Sequence, residues 1–119
     1  MRFLCCSCGA ELSNPVVVLN DARLLVASDG VDRLPDGFAH DEGSTEDAPV
    51  AKWCINIRDA MNMRHTEQYG RLNGCCGLDG QDGPNLVCEK CGDDVATEYS
   101  DCWMSHCIVF DPGKTRIAE

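Results

Sequence analysis

Large aromatic side chains are scarce in this sequence: three phenylalanines, two tryptophans and two tyrosines in 119 residues. That excludes a large, self-sufficient hydrophobic core, so a chain of this length gains from added cross-links. Histidine is scarcer still, present at His40, His65 and His106. There is no His-Glu-x-x-His and no Gly-x-Ser-x-Gly nucleophile elbow, and Gly113-Lys114-Thr115 has Ile108 where a phosphate loop requires its first glycine. The opening residues Met1-Arg2-Phe3-Leu4-Cys5-Cys6 hold no apolar signal region, and no apolar run approaches membrane length. These absences set the expectation of a cytoplasmic protein that is not embedded in a membrane. Basic residues are also few. Lys and Arg total 10 against 20 Asp and Glu, a formal net charge of −10. Such a surface repels phosphate backbones and disfavours nucleic acid; a basic protein is the partner it fits.

What the chain has is cysteine, ten in all. In a reducing compartment, paired Cys-x-x-Cys spacing points to metal rather than disulfides. The pairing is present twice, as Phe3-Leu4-Cys5-Cys6-Ser7-Cys8-Gly9-Ala10-Glu11-Leu12 and as Leu86-Val87-Cys88-Glu89-Lys90-Cys91-Gly92-Asp93-Asp94-Val95. Both copies run apolar, apolar, Cys-x-x-Cys-Gly-x, then an acid and an apolar residue. This is the pattern of a zinc knuckle: a strand ends, two thiolates grip one metal, and a glycine lets the backbone turn back.

Between the knuckles the chain alternates β-rich runs with loops. Residues 16–19 and 23–27 flank Asn20-Asp21 and predict a hairpin, with a short buried helix over 21–27 as the other reading. Residues 29–49 form a loop-like, acidic stretch. It carries Asp29, Asp32, Asp36, Asp41, Glu42, Glu46 and Asp47 against the single Arg33, and is either a solvated loop or a decoy for a basic partner. Leu34 and Phe38 then either anchor that partner or pin the loop to the core. In residues 51–58, Ala51, Trp53, Ile55 and Ile57 fall on one face of a strand, which turns Cys54 away from that core. Asp59 predicts the start of a short helix running to about Tyr69. The glycine-rich residues 72–85 form a shaped loop delivering Cys75 and Cys76, which extended backbone would point in opposite directions. Residues 95–99 and 101–110 are β-rich, and Cys102 and His106 share a face in either a strand or a helix. Residues 112–119 have the composition of a frayed tail.

The residues Gly74-Cys75-Cys76-Gly77-x-Asp79-Gly80-x-Asp82-Gly83-Pro84-Asn85-x-x-Cys88, followed by Cys91-Gly92, Val95-Ala96-Thr97 and Asp101-Cys102-Trp103-x-x-His106, resemble a pattern in uncharacterised small bacterial proteins. The resemblance covers the second half of the chain and the N-terminal knuckle, and it implies no function. Locally, the knuckles resemble those of zinc ribbons and treble clefs, whose activities are diverse.

Eight candidate ligands result: Cys5, Cys8, Cys75, Cys76, Cys88, Cys91, Cys102 and His106. Eight ligands make two tetrahedral zincs per chain, partitioned either as the two knuckles together and the remainder together, or as one knuckle per zinc. The resulting expectation is a single α+β domain, β-rich and zinc-stabilised, with knuckles, a hairpin and one short helix. Its function would be that of a binding or adaptor module for a basic protein, an immunity-type inhibitor among the possibilities. A zinc-dependent enzyme, or a thiol-based redox or metal sensor using the vicinal cysteines, is the alternative.

Overall fold

The computed structural model describes residues 1–43 and 50–119. Nine strands are formed: β1 (Arg2–Cys5), β2 (Val17–Val18), β3 (Phe38–Asp41), β4 (Trp53–Ile55), β5 (Met63–His65), β6 (Leu86–Cys88), β7 (Asp94–Tyr99), β8 (Cys107–Phe110) and β9 (Thr115–Ala118). Seven of them make one sheet in the order β2-β3-β4-β8-β7-β6-β5, antiparallel throughout except for the parallel β2–β3 pair. The other two, β1 and β9, form an antiparallel ribbon.

Side-chain alternation sorts the sheet into two faces. Ile55 and Ile108 join the larger core with Phe3, Leu12, Val95 and Phe110. Phe3 of the ribbon stacks on Phe110 of β8 with ring centroids 4.5 Å apart, and Trp53 tilts against Phe3 at 6.3 Å. Three of the seven aromatics thus meet where the ribbon joins the sheet, and truncating Phe3 there would cost about 3–5 kcal/mol. On the other face Cys54 and Cys107 pack with Leu19 and Leu34. The alternation anticipated for β4 is what the strand adopts, and Cys54 is turned away from the larger core yet fully buried.

Three expectations are corrected. No hairpin forms at Asn20-Asp21: the Asp21 carboxylate accepts the Arg23 amide and caps a single 3-10 turn (Ala22–Leu24), while β2 pairs instead with β3. No helix of seven or more residues is present among the described residues, and the range given to one is split into a 3-10 turn (Ile57–Asp59), β5 and a second turn (Tyr69–Arg71). Asn56 rather than Asp59 caps the first turn, Asn62 then takes φ 55°, and pairing with β6 extends the next three residues. The C-terminal tail is not frayed, because β9 pairs with β1 from Arg2↔Ala118 to Cys5↔Thr115.

The acidic stretch is partly built into the fold. Leu34 is buried, Phe38 begins β3, Arg58 pairs with Asp32 at 2.9 Å, and Arg33 pairs with Glu42 at 2.7 Å. Glu46 and Asp47 lie outside the described residues. No described helix is long and apolar enough to cross a membrane.

Candidate metal centres

The two knuckles close with the same backbone hydrogen bonds. In the first, the Gly9 amide donates to the Cys5 carbonyl at 2.8 Å and the Cys5 amide to the Ala10 carbonyl at 2.9 Å; in the second, Gly92 donates to Cys88 at 2.8 Å and Cys88 to Asp93 at 2.8 Å. Gly9 and Gly92 sit at φ 75° and 82°, left-handed backbone that a glycine takes without strain. The repeat visible in the sequence is therefore a repeat of geometry. Each knuckle follows a strand end, β1 or β6, and the Ser7 hydroxyl bonds the Asp93 carboxylate between them.

This arrangement gathers Cys5, Cys8, Cys88 and Cys91, with all four sulfurs within 4.8 Å of one another. Cys5 and Cys91 stand 3.6 Å apart, as do Cys8 and Cys88. Sulfurs about 2.3 Å from a zinc ion would form a tetrahedron with edges of roughly 3.8 Å, so the cluster fits such an ion with little movement. Its protons are unevenly held without one. At Cys91 a backbone hydrogen bond from Asp93 is the largest influence and favours the thiolate, but burial and the bonds with Cys5, Cys8 and Cys88 outweigh it and push the thiol up to about 12. At Cys88 burial is the largest influence and opposes ionisation, yet backbone bonds from Cys91 and Lys90 and the bonds with Cys8 and Cys91 bring the thiol below its ordinary value.

The second group is Cys75, Cys76 and Cys102, all exposed and with sulfurs within the same 4.8 Å. Cys75 and Cys76 therefore fall in one group rather than two. The corner is organised by Asp101, a residue the sequence gives no reason to rank above its neighbours. Its carboxylate is buried and accepts four donors: the amides of Cys76 (2.9 Å) and Cys102 (2.7 Å) on Oδ1, and the Cys75 amide (3.0 Å) and Trp103 indole (2.8 Å) on Oδ2. Those amides, Cys76 and Cys75 foremost, hold its carboxyl well below the usual range. The only signal in the sequence is an acid placed directly before a candidate ligand, where it can bond following amides. Gly77 completes the turn by close approach: a Cβ there would meet the Ser100 carbonyl oxygen at 2.2 Å. A hydrogen bond with Cys76, then burial and Asp101, push Cys102 up to about 12.

His106 does not join its three expected companions among these sulfurs. Its Nε2 lies 2.9 Å from the Asp101 carbonyl oxygen; a carbonyl can only accept, so that nitrogen carries the proton. Its backbone is fixed by bonds to the Val31 carbonyl and from the Arg33 amide. Cys6 is exposed and outside both groups. Cys54 and Cys107, unassigned by sequence, are buried neighbours; the Cys54 thiol donates to Glu42 Oε1 at 3.2 Å. Its hydrogen bond with Cys107, then burial and Glu42, raise the Cys54 thiol far above its ordinary value. Both groups of clustered cysteines are thus positioned to hold metal ions.

A cavity of about 510 Å³ beside Tyr99, Phe110 and Lys52 has no cysteine or histidine in its lining. No family model matches the chain, and no curated protein or solved structure matches it.

Proposed function

We propose that the protein is a zinc-scaffolded binding module of the reducing cytoplasm, acting as an adaptor for a basic protein partner. The observation that carries this reading is the four-sulfur cluster of Cys5, Cys8, Cys88 and Cys91, two of whose edges measure 3.6 Å. Four thiolates occupy every position of a tetrahedral zinc and donate enough charge to make it a poor Lewis acid, so this centre is structural rather than catalytic. The formal charge of −10, deepened by about −2 from such a centre, selects a basic partner. Neutralising a basic toxin or nuclease is one role compatible with that charge.

The test is capture of a basic partner from the native host with Asp29 and Asp36 reversed to lysine. Both are exposed, and Asp36 has only a 3.8 Å contact with Arg58, so folding should be little affected. Loss of capture with zinc content unchanged, and release at raised salt, support the reading; salt-insensitive capture by both forms removes it. Glu42 is unsuitable for this purpose, because it holds Arg33 and the Cys54 thiol. The exposure of Cys75, Cys76 and Cys102 favours a second reading, a thiol-based metal sensor, which requires that group to exchange its metal faster than the knuckles do.

A further inference from the structure

Building on the zinc and basic-partner readings, we propose that a zinc held by Cys75, Cys76 and Cys102 keeps an open fourth position, filled by a histidine or cysteine side chain of the protein partner. The exposed corner would then be a coordination socket rather than a second structural staple.

The first support is the ligand count. Among the described residues the group has three members, although histidine nitrogens and carboxylate oxygens qualify as well as sulfurs. The neighbours placed to close it are committed elsewhere. Each oxygen of Asp101 already accepts two N–H donors, so that residue positions the cysteines rather than joining them. His106 directs its protonated Nε2 at the Asp101 carbonyl, and its backbone is tied to the chain at Val31 and Arg33. Three protein ligands with a fourth position left to water or an incoming group is how an exchangeable zinc is built, and nitrogen and sulfur are the donors such an ion takes.

The second support is the surface around it. Trp103 is 54% exposed, an unusual placement in a chain with two tryptophans, while its indole N–H is anchored on the same Asp101 that orders the thiols. A rigidly held, exposed tryptophan beside the socket is the kind of side chain that dominates protein interfaces. The four-sulfur cluster differs on both counts, having no vacant position and two fully buried members, Cys5 and Cys88. On binding, water leaves the metal as the donor nitrogen or sulfur enters; an incoming thiol releases its proton to solvent, and nothing is oxidised or reduced.

Cobalt(II) in place of zinc makes the socket visible. With both centres loaded, added imidazole should shift the ligand-field bands of one cobalt per chain and leave the four-sulfur cobalt unchanged; Cys102→Ser should abolish the shift. A lysine- and arginine-rich peptide carrying one histidine should produce the same shift and bind about tenfold more tightly than its alanine counterpart, a gain of about 1.4 kcal/mol. Bands indifferent to imidazole would mean that the chain closes its own site, and would overturn the proposal. An intact imidazole shift with equal affinities for the two peptides overturns the partner's contribution alone. Failure of either peptide to bind at low salt, with the imidazole shift intact, would instead reject the basic-partner reading.

Discussion

Cys5 and Cys91 are 86 positions apart in the chain and hold their sulfurs 3.6 Å apart. The β1–β9 ribbon joins segments farther apart still, with Cys5 itself opposite Thr115. A metal at this point therefore closes the long segment from Cys5 to Cys91 into one loop, for a closure entropy that grows only slowly with length. Since ring–ring contacts among the described residues are those of Phe3 with Phe110 and Trp53, the core is modest and metal binding and folding should be one equilibrium.

That coupling predicts an order of metal loss. Elemental analysis of protein purified under reducing conditions should find about two zincs per chain, and a weak chelator should take the one at the exposed Cys75, Cys76 and Cys102 first without altering the circular dichroism. A strong chelator should then remove the other and unfold the chain. A fully stripped protein with an unchanged spectrum would show that the core stands without metal.

Asp101→Asn should separate the two centres. An amide in place of the carboxylate turns a donor toward backbone N–H groups that have no other acceptor among the described residues, while the knuckles lie outside its hydrogen bonds. Affinity for the second metal should fall about 10–100-fold, the usual effect of losing a group that orients ligands, and the first should be unaffected. Competition with a chromogenic chelator reads both values.

Glu42 supplies a pH prediction independent of the metal. Burial is the largest influence on its carboxyl and opposes ionisation, but the Arg33 guanidinium and the Cys54 thiol outweigh it and hold the pKa below the ordinary 4.5. A folded-state pKa lowered in this way stabilises the fold above the unfolded value and is lost as pH falls through the folded one. Glu42→Gln should therefore cost about 1–2 kcal/mol near neutrality, with wild type and variant converging below about pH 4.5. Urea denaturation as a function of pH, with excess zinc present so that both proteins stay metal-loaded, measures the difference. A constant gap across the range would show that packing rather than charge is responsible.

The knuckles could be read from sequence because everything that shapes them is local: the glycine amide donates to the first cysteine's carbonyl, and that cysteine's amide donates to the carbonyl of the residue after the glycine. The strands β4 and β7 were legible for a similar reason, since the alternation of one and the β-rich composition of the other are properties of a single segment. The partners of β2 and β9 were not. Val17 pairs with Phe38 across an intervening loop, and Ile117 pairs with Phe3 at the other end of the chain, choices made by tertiary packing that no window of sequence contains. The same limit explains His106. Its shared face with Cys102 assumes one regular element through residues 102–106, whereas β8 begins at Cys107 and the preceding residues form a turn around Asp101.

The sharpest consequence is a comparison of His106→Ala with Cys102→Ser. Counting ligands along the sequence makes the two equivalent, each removing one of four donors from a closed zinc and each expected to release it. The geometry makes them different. Loss of Cys102 takes one of three clustered sulfurs, whereas loss of the His106 ring removes a hydrogen bond to the Asp101 carbonyl and leaves Cys75, Cys76 and Cys102 in place. Cys102→Ser should accordingly lose the second zinc at chelator concentrations the wild type withstands. His106→Ala should retain it, with stability lowered by about 1 kcal/mol for the missing hydrogen bond. Zinc content and urea midpoint, measured on both variants, decide the matter: equal zinc loss would place the imidazole on the metal, through a rotation that exchanges the Asp101 carbonyl for the ion.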